Sequence, residues 1–302
     1  QVPGTIRRYM VKQGRILKGI GGFYYVEAEE TIYECKARGV FRKRGTTPLA
    51  GDWVQICIDN DTGTIEEIFP RKNMLVRPPC ANIDQMFLVT SICNPSPNLL
   101  VLDKMIAVAE DQEMEPILVI SKTDLQSADE LEQIYQKAGI QVITVSSVSG
   151  QGIAQIKMLL KDKISVFTGN SGVGKSSLLN CISPEFRQET GIISSKLGRG
   201  KHTTRQVELL KLPCGGYVAD TPGFSTMDME RYNIVKKEHL QYCFREMKPY
   251  ITQCKFSSCS HTCEKGCAVL RAVEQGEITQ SRHNSYTAMY EQVKDKKEWE
   301  RK

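Results

Sequence analysis

The hydrophobic pattern changes period twice along the chain. Between residues 14 and 68, apolar and polar positions alternate in short runs at 15–20, 23–28, 31–37, 53–58 and 64–68, separated by Gly, Pro, Asp and Asn. Alternation puts every second side chain on one face, so these runs predict five short strands. Gly21-Gly22 lies between the first two and predicts a hairpin turn. Five such strands fit a small Greek-key barrel of the OB type. Residues 70–79, ending in Arg77-Pro78-Pro79, read as a linker. Beyond it, continuous apolar runs at 85–92, 116–120, 141–145 and 164–168 alternate with stretches of helical spacing at 101–110, 129–138, 153–160 and 176–182. In the first of these helices Val101, Met105 and Val108 share a face. That alternation predicts an α/β domain with a parallel, doubly wound sheet. After a polar, glycine-rich stretch at 184–202, residues 204–210 and 216–219 predict two further strands. From residue 233 the pattern is helical and cysteine-bearing, and 285–302 predicts a charged amphipathic terminal helix.

Composition changes this picture little. The apolar and charged fractions are those of a globular protein, and a net charge of +5 is a mild basic excess that favours an anionic partner. No apolar run approaches the roughly 18 residues of a membrane helix, so no membrane partner is expected. No secretory signal is visible. Residues 1–9 are read as an extension, with Met10 as the expected natural start, and are set aside from the fold. Of the 11 cysteines, those clustered near the C-terminus suggest metal ligands more readily than disulfides, because a nucleotide-binding chain without a signal peptide is expected in the reducing cytoplasm.

The strongest chemical signal follows the run at 164–168. Gly169-Asn170-Ser171-Gly172-Val173-Gly174-Lys175-Ser176 matches G-x-x-x-x-G-K-[ST], the phosphate-binding P-loop, between a predicted strand and a predicted helix. Its glycines let backbone N–H groups turn around phosphate oxygens, and the helix, whose first turn also carries Ser177, points its positive end at them. Lys175 would reach the β- and γ-phosphates and Ser176 would ligate Mg²⁺. Asp220-Thr221-Pro222-Gly223 fits D-x-x-G at a strand end, where Asp220 would hold the Mg²⁺ and the Gly223 amide would contact the γ-phosphate. Ser121-Lys122-Thr123-Asp124 follows another strand and is close to the guanine-reading motif [NT]-K-x-D. A carboxylate at Asp124 accepts from both guanine donors, which adenine does not offer, and the Lys122 stem would cover the base. Ser121 departs from the usual Asn or Thr, so this loop is expected to be held less firmly; the plainer alternative is a surface Lys/Asp pair. Ser146-Ser147 is the expected second base loop.

Two further clusters stand apart. Lys36, Arg38, Arg42, Lys43 and Arg44 surround Phe41 without an acid among them, a pattern that suits an RNA backbone with base stacking or, more plainly, a solvated loop. Cys254, Cys259, His261 and Cys267 give C-x₄-C-x-H-x₅-C, a full donor set for structural Zn²⁺, with Cys263 as an alternative to His261.

The order of the motifs is rotated: base-reading loops first, then P-loop, then D-x-x-G. The chain therefore resembles the circularly permuted GTPases. With the basic barrel, the string GRGKHTTR at 198–205, DTPGF at 220–224 and the Cys/His cluster, it resembles more narrowly the ribosome small-subunit-dependent GTPase family, RsgA, also called YjeQ. The resemblance runs from about Met10 to the C-terminus. It implies an OB-fold-like RNA-binding domain over 1–73, a circularly permuted GTPase domain over 74–231 and a helical zinc-binding domain over 232–302. It further implies hydrolysis of GTP to GDP, stimulation by the small ribosomal subunit, rRNA contact, a monomer, and His261 rather than Cys263 as ligand. Phe224 stands where a water-orienting Gln is common, so His202 is the expected group that positions water, counted with Lys175 and Thr204 as catalytic, the plainer alternative being that His202 contacts rRNA or caps its loop; one of Thr203 and Thr204 is expected to bind Mg²⁺. The alternatives are an RNA-binding nucleotide switch with little turnover and a P-loop ATPase or kinase. Loss of the γ-phosphate is expected to be transmitted to the zinc domain, since D-x-x-G runs directly into it.

Overall fold

The structure is a computed structural model and describes residues 10–59, 62–183, 207–220 and 235–295. The predicted barrel strands form as β1 (Met10–Ile20), β2 (Phe23–Ala28), β3 (Thr31–Ala37), β4 (Trp53–Asp59) and β5 (Thr62–Ile68). β1 pairs with both β2 and β4, which closes the barrel around Ile16, Val26, Cys35, Val54, Ile56 and Ile65. The basic stretch differs from expectation. It contains a short helix, α1 (Gly39–Lys43), and Phe41 is buried in the barrel core. Phe41 therefore packs as a core residue and is not offered for stacking.

The stretch at 70–79 is also more ordered than a linker. Arg71 grips the buried Asp52 with two hydrogen bonds of 2.7 and 2.8 Å and donates a third to the Thr47 carbonyl at 2.7 Å. Here β6 (Met74–Leu75) pairs with β7 (Cys80–Ala81).

The α/β region follows in the predicted order: β8 (Gln85–Ser91), α2 (Leu99–Asp111), β9 (Glu115–Ser121), α3 (Asp129–Lys137), β10 (Gln141–Thr144), α4 (Ile153–Leu159), β11 (Ile164–Thr168), α5 (Lys175–Ile182), β12 (Glu208–Lys211) and β13 (Tyr217–Asp220). β8 and β11 are buried along their whole length, as continuous apolar runs in a two-sided sheet should be. The strand order β10-β9-β8-β11-β13-β12 continues without a break into β1-β2-β3-β5-β4. Among the described residues, barrel and α/β sheet are joined in the ladder at Lys18 opposite Glu208, and Leu17 and Ala50 of the barrel share a buried core with Leu209 and Ala219.

The C-terminal region is helical: α6 (Lys237–Leu240), α7 (Lys248–Ile251), α8 (Ala268–Glu274) and α9 (Gln280–Val293), with 3₁₀ turns at Gln241–Cys243 and Arg245–Met247. The terminal helix begins at Gln280, before the predicted start at residue 285, and has the buried face expected of an amphipathic helix. It lies on α2 and buries Arg282, His283, Tyr286, Met289 and Val293. Among the described residues no helix is long and apolar enough to cross a membrane.

Candidate functional site

β11 runs parallel to β8 on one side and β13 on the other, so the loop at its C-terminal end emerges from the middle of the α/β sheet. Gly172 and Gly174 hold left-handed φ values of 81° and 87°, which L side chains resist. At Gly169 a Cβ would come within 2.3 Å of the Val89 carbonyl oxygen, so only glycine fits. Val173 is buried and anchors the loop in the core with Phe87, Val89 and Phe167. Asn170, Ser171, Ser176 and Ser177 are exposed, and Lys175 opens α5 half-buried. The loop thus has a fixed backbone and an open mouth at a helix N-terminus, which suits a phosphate group.

The Ser121–Asp124 loop lies beside it. Ser121 ends β9, is buried, and its hydroxyl donates to the Val173 carbonyl at 2.5 Å. The departure from Asn or Thr therefore does not leave this loop untied. Lys122 takes a left-handed φ of 62° and donates its ammonium to the Asn94 carbonyl. The Thr123 hydroxyl and amide both reach the Val145 carbonyl, at 3.1 and 3.4 Å. Asp124 is exposed. Ser146 shapes the neighbouring loop, its hydroxyl accepting from the Val148 and Ser149 amides at 3.3 and 3.2 Å. Residues 121–124, 146–147 and 169–177 thus share the C-terminal edge of the sheet, where open α/β sheets bind nucleotides.

Asp220 is the last residue of β13, next to β11 in the ladder. Its side chain, Gly223, Phe224, His202, Thr203 and Thr204 lie outside the described residues.

In the C-terminal helical region, Cys254, Cys259, His261 and Cys267 bring one donor atom each to within 4.8 Å of one another. The Cys254 and Cys267 sulfurs are 3.8 Å apart and each stands 3.5 Å from His261 Nδ1. Tetrahedral zinc, with Zn–S near 2.3 Å and Zn–N near 2.0–2.1 Å, requires S···S about 3.8 Å and S···N about 3.6 Å. The donor set therefore fits this ion in kind, and Cys254, Cys267 and His261 fit it in spacing. Cys263 is exposed and lies outside the group. Burial lowers the His261 pKa, which favours the neutral imidazole a metal needs. Burial pushes the metal-free Cys259 thiol up to about 12. Glu264 caps the loop, accepting from the Ser260, Thr262 and Cys263 amides at 2.6, 3.2 and 3.2 Å.

Gln241, whose amide oxygen meets His261 Nε2 at 2.9 Å, carries no signal in the sequence, because no spacing rule links residue 241 to a cluster starting at 254. The same holds for Arg282, which bridges Asp103 and Glu246.

The family model described as RsgA GTPase matches residues 68–230, and that of the RsgA N-terminal domain matches residues 13–65. The chain is 48% identical over 288 residues to a small ribosomal subunit biogenesis GTPase RsgA of Caldanaerobacter subterraneus subsp. tengcongensis, covering 94% of this chain and 96% of that one. To the protein of the same description from Geobacillus kaustophilus it is 44% identical over 292 residues, covering 94% and 98%. Among solved structures it is similar to YjeQ from Thermotoga maritima, with a TM-score of 0.82, 37% identity and coverage of 95% of this chain and 100% of that one. A structure described as YloQ, a circularly permuted GTPase, is similar with a TM-score of 0.79 and 38% identity, covering 95% and 96%.

Proposed function

Because the chain belongs to the RsgA family of circularly permuted GTPases, we propose that it hydrolyses GTP to GDP and phosphate in the service of small ribosomal subunit biogenesis. The observation that carries this reading is the shared edge, where the Ser121 hydroxyl ties the base-reading loop to the phosphate loop. In the proposed complex Asp124 accepts from guanine, Lys122 covers the base, and the residue 169–174 amides with Lys175 hold the phosphates. Ser176 and Asp220, with Thr203 or Thr204, would hold Mg²⁺, which would supply positive charge against the phosphates. Cys254, Cys259, His261 and Cys267 would hold one structural Zn²⁺. His202 would accept a hydrogen bond from the attacking water, since Phe224 offers no polar group. The working unit is a cytoplasmic monomer that contacts rRNA through domain 1–73, carries nucleotide on 74–231 and metal on 232–302.

The deciding experiment is GTP turnover with and without purified small subunits, together with competition by ATP. Turnover stimulated by the subunit and insensitive to ATP is expected; ATP competing as well as GDP would refute the guanine assignment. His202→Ala should keep GTP affinity and lose stimulated turnover, and near-normal stimulation in that variant would sink the role given to His202. Phe224 favours one second reading, a nucleotide-dependent RNA-binding switch with little turnover. That reading predicts no stimulation but a subunit affinity that differs between GDP and a non-hydrolysable GTP analogue.

A further inference from the structure

The outer nitrogen of the His261 imidazole is held from outside the metal loop. Nδ1 faces the sulfurs of Cys254 and Cys267, at 3.5 Å from each, and Nε2 lies 2.9 Å from Oε1 of Gln241. Gln241 opens the 3₁₀ turn Gln241–Cys243, which packs on α2 and shares no backbone with the loop that carries the four donors. The loop backbone is fixed separately by α9: His283 Nε2 donates to the His261 carbonyl at 2.7 Å, and the Tyr286 hydroxyl donates to the Ser260 carbonyl at 2.9 Å. That second set of bonds holds His261 in its left-handed backbone, φ 58°. The backbone of this ligand and its ring are therefore governed by different groups.

We propose that Gln241 is the positioning residue of the metal site: its side-chain oxygen accepts the Nε2–H of His261 and so selects the tautomer whose Nδ1 lone pair faces the cysteines. The chemistry is forced from both ends. An ion held at Nδ1 leaves the ring's single N–H on Nε2, so the amide atom that meets it must be the oxygen. A neutral imidazole free to exchange tautomers would spend part of its time with a proton on Nδ1, which cannot ligate. Acceptors on the far nitrogen of a ligating histidine also raise its basicity, and their loss typically costs about 10–100-fold in metal affinity.

This inference rests on the Cys₃His reading of the cluster, and the test separates the two. Zinc affinity is measured on the full chain by competition with a chromophoric chelator at fixed pH, for the parent, Gln241→Met and Gln241→Glu. Methionine keeps the length and volume but replaces the amide oxygen by a weakly accepting thioether; glutamate restores an oxygen acceptor. The expected result is a loss of about 10–100-fold in Q241M and an affinity within about 3-fold of the parent, or tighter, in Q241E. In the zinc-loaded parent, ¹⁵N NMR should show a metal-bound Nδ1 and a protonated Nε2. Equal affinities for Q241M and the parent would overturn the proposal, as would equal losses in Q241M and Q241E, which would mean that the side chain acts only through packing. A parent chain that takes up no zinc would refute the cluster itself.

Discussion

Replacing Arg282 by methionine should be among the most destabilising single changes in the described residues. Arg282 on α9 is 1% exposed and faces two buried carboxylates. Its Nη1 donates to Asp103 of α2 at 2.6 Å, and its Nε and Nη2 donate to Glu246 at 2.7 and 3.2 Å. The guanidinium also lies over the Phe244 ring, 4.6 Å from its centroid. Methionine keeps most of the volume, so cavity formation is a minor effect. The dominant one is charge: Asp103 and Glu246, at 1% and 4% exposure, lose their only cation at hydrogen-bond range among the described residues. Removing one side of a buried pair costs about 3–5 kcal/mol, a large share of the roughly 5–15 kcal/mol that holds a domain folded. Urea unfolding of zinc-loaded protein, followed by circular dichroism and by zinc release, measures it. A triple variant, R282M with Asp103→Leu and Glu246→Leu, discriminates the mechanism. If the loss in the single variant comes from stranded carboxylates, the triple variant should recover most of it, because apolar replacement of a whole buried cluster is often neutral or better. A single variant within about 1 kcal/mol of the parent, or a triple variant no better than the single, would refute the reasoning.

Ser121→Ala leaves the Val173 carbonyl without its side-chain donor, and the loss of about 1–2 kcal/mol should weaken GTP about 5–30-fold in a fluorescent-nucleotide titration; unchanged affinity would mean the loops are held together by packing alone. Zinc uptake should release protons near pH 7, because burial raises the Cys259 and Cys267 thiols above their usual range and both would bind as thiolates. With the Cys259 thiol pushed up to about 12 by burial, zinc affinity should rise with pH through neutrality and fall as protons compete below it, which calorimetry in buffers of different ionisation enthalpy reads directly; a pH-independent affinity would count against thiolate ligation.

Legibility in the sequence followed the range of the forces involved. β2 and β3 are read to the residue, since alternation and the Gly21-Gly22 turn are local, and both glycines take positive φ. The P-loop is equally local, a fixed spacing that a backbone turn and a close approach at Gly169 both demand. Phe41 shows the limit. Surrounded by Lys and Arg, it carries the pattern of a solvated loop, yet burial in the barrel core decides its place. Arg282 and His283 lie before the predicted start of the terminal helix and carry no local signal, because their partners at 103, 246 and 261 are brought to them only by the fold. The tie between Ser121 and Val173 spans 52 residues and turns an apparent weakening of the motif into a hydrogen bond.

The same contrast in range separates the two joints that attach the outer parts of the molecule to the nucleotide edge. The barrel meets the sheet through Lys18 opposite Glu208, with a 2.5 Å ion pair between side chains that are each about one-third exposed. Glu27 adds contacts to Lys211, at 2.6 Å, and to Tyr217, again partly in solvent on the lysine side. Exposed pairs of this kind contribute about 0–1 kcal/mol each and weaken with salt. The helical part is held on α2 by the fully desolvated Arg282 cluster and by the apolar faces of α9 and α2, which cannot part without stranding buried charge. β12 and β13 form a hairpin, and β13 ends at Asp220 beside the P-loop strand, so the polar part of the barrel joint lies on the hairpin that carries the proposed γ-phosphate sensor, beside an apolar part in which Leu17 and Ala50 share a buried core with Val207, Leu209 and Ala219.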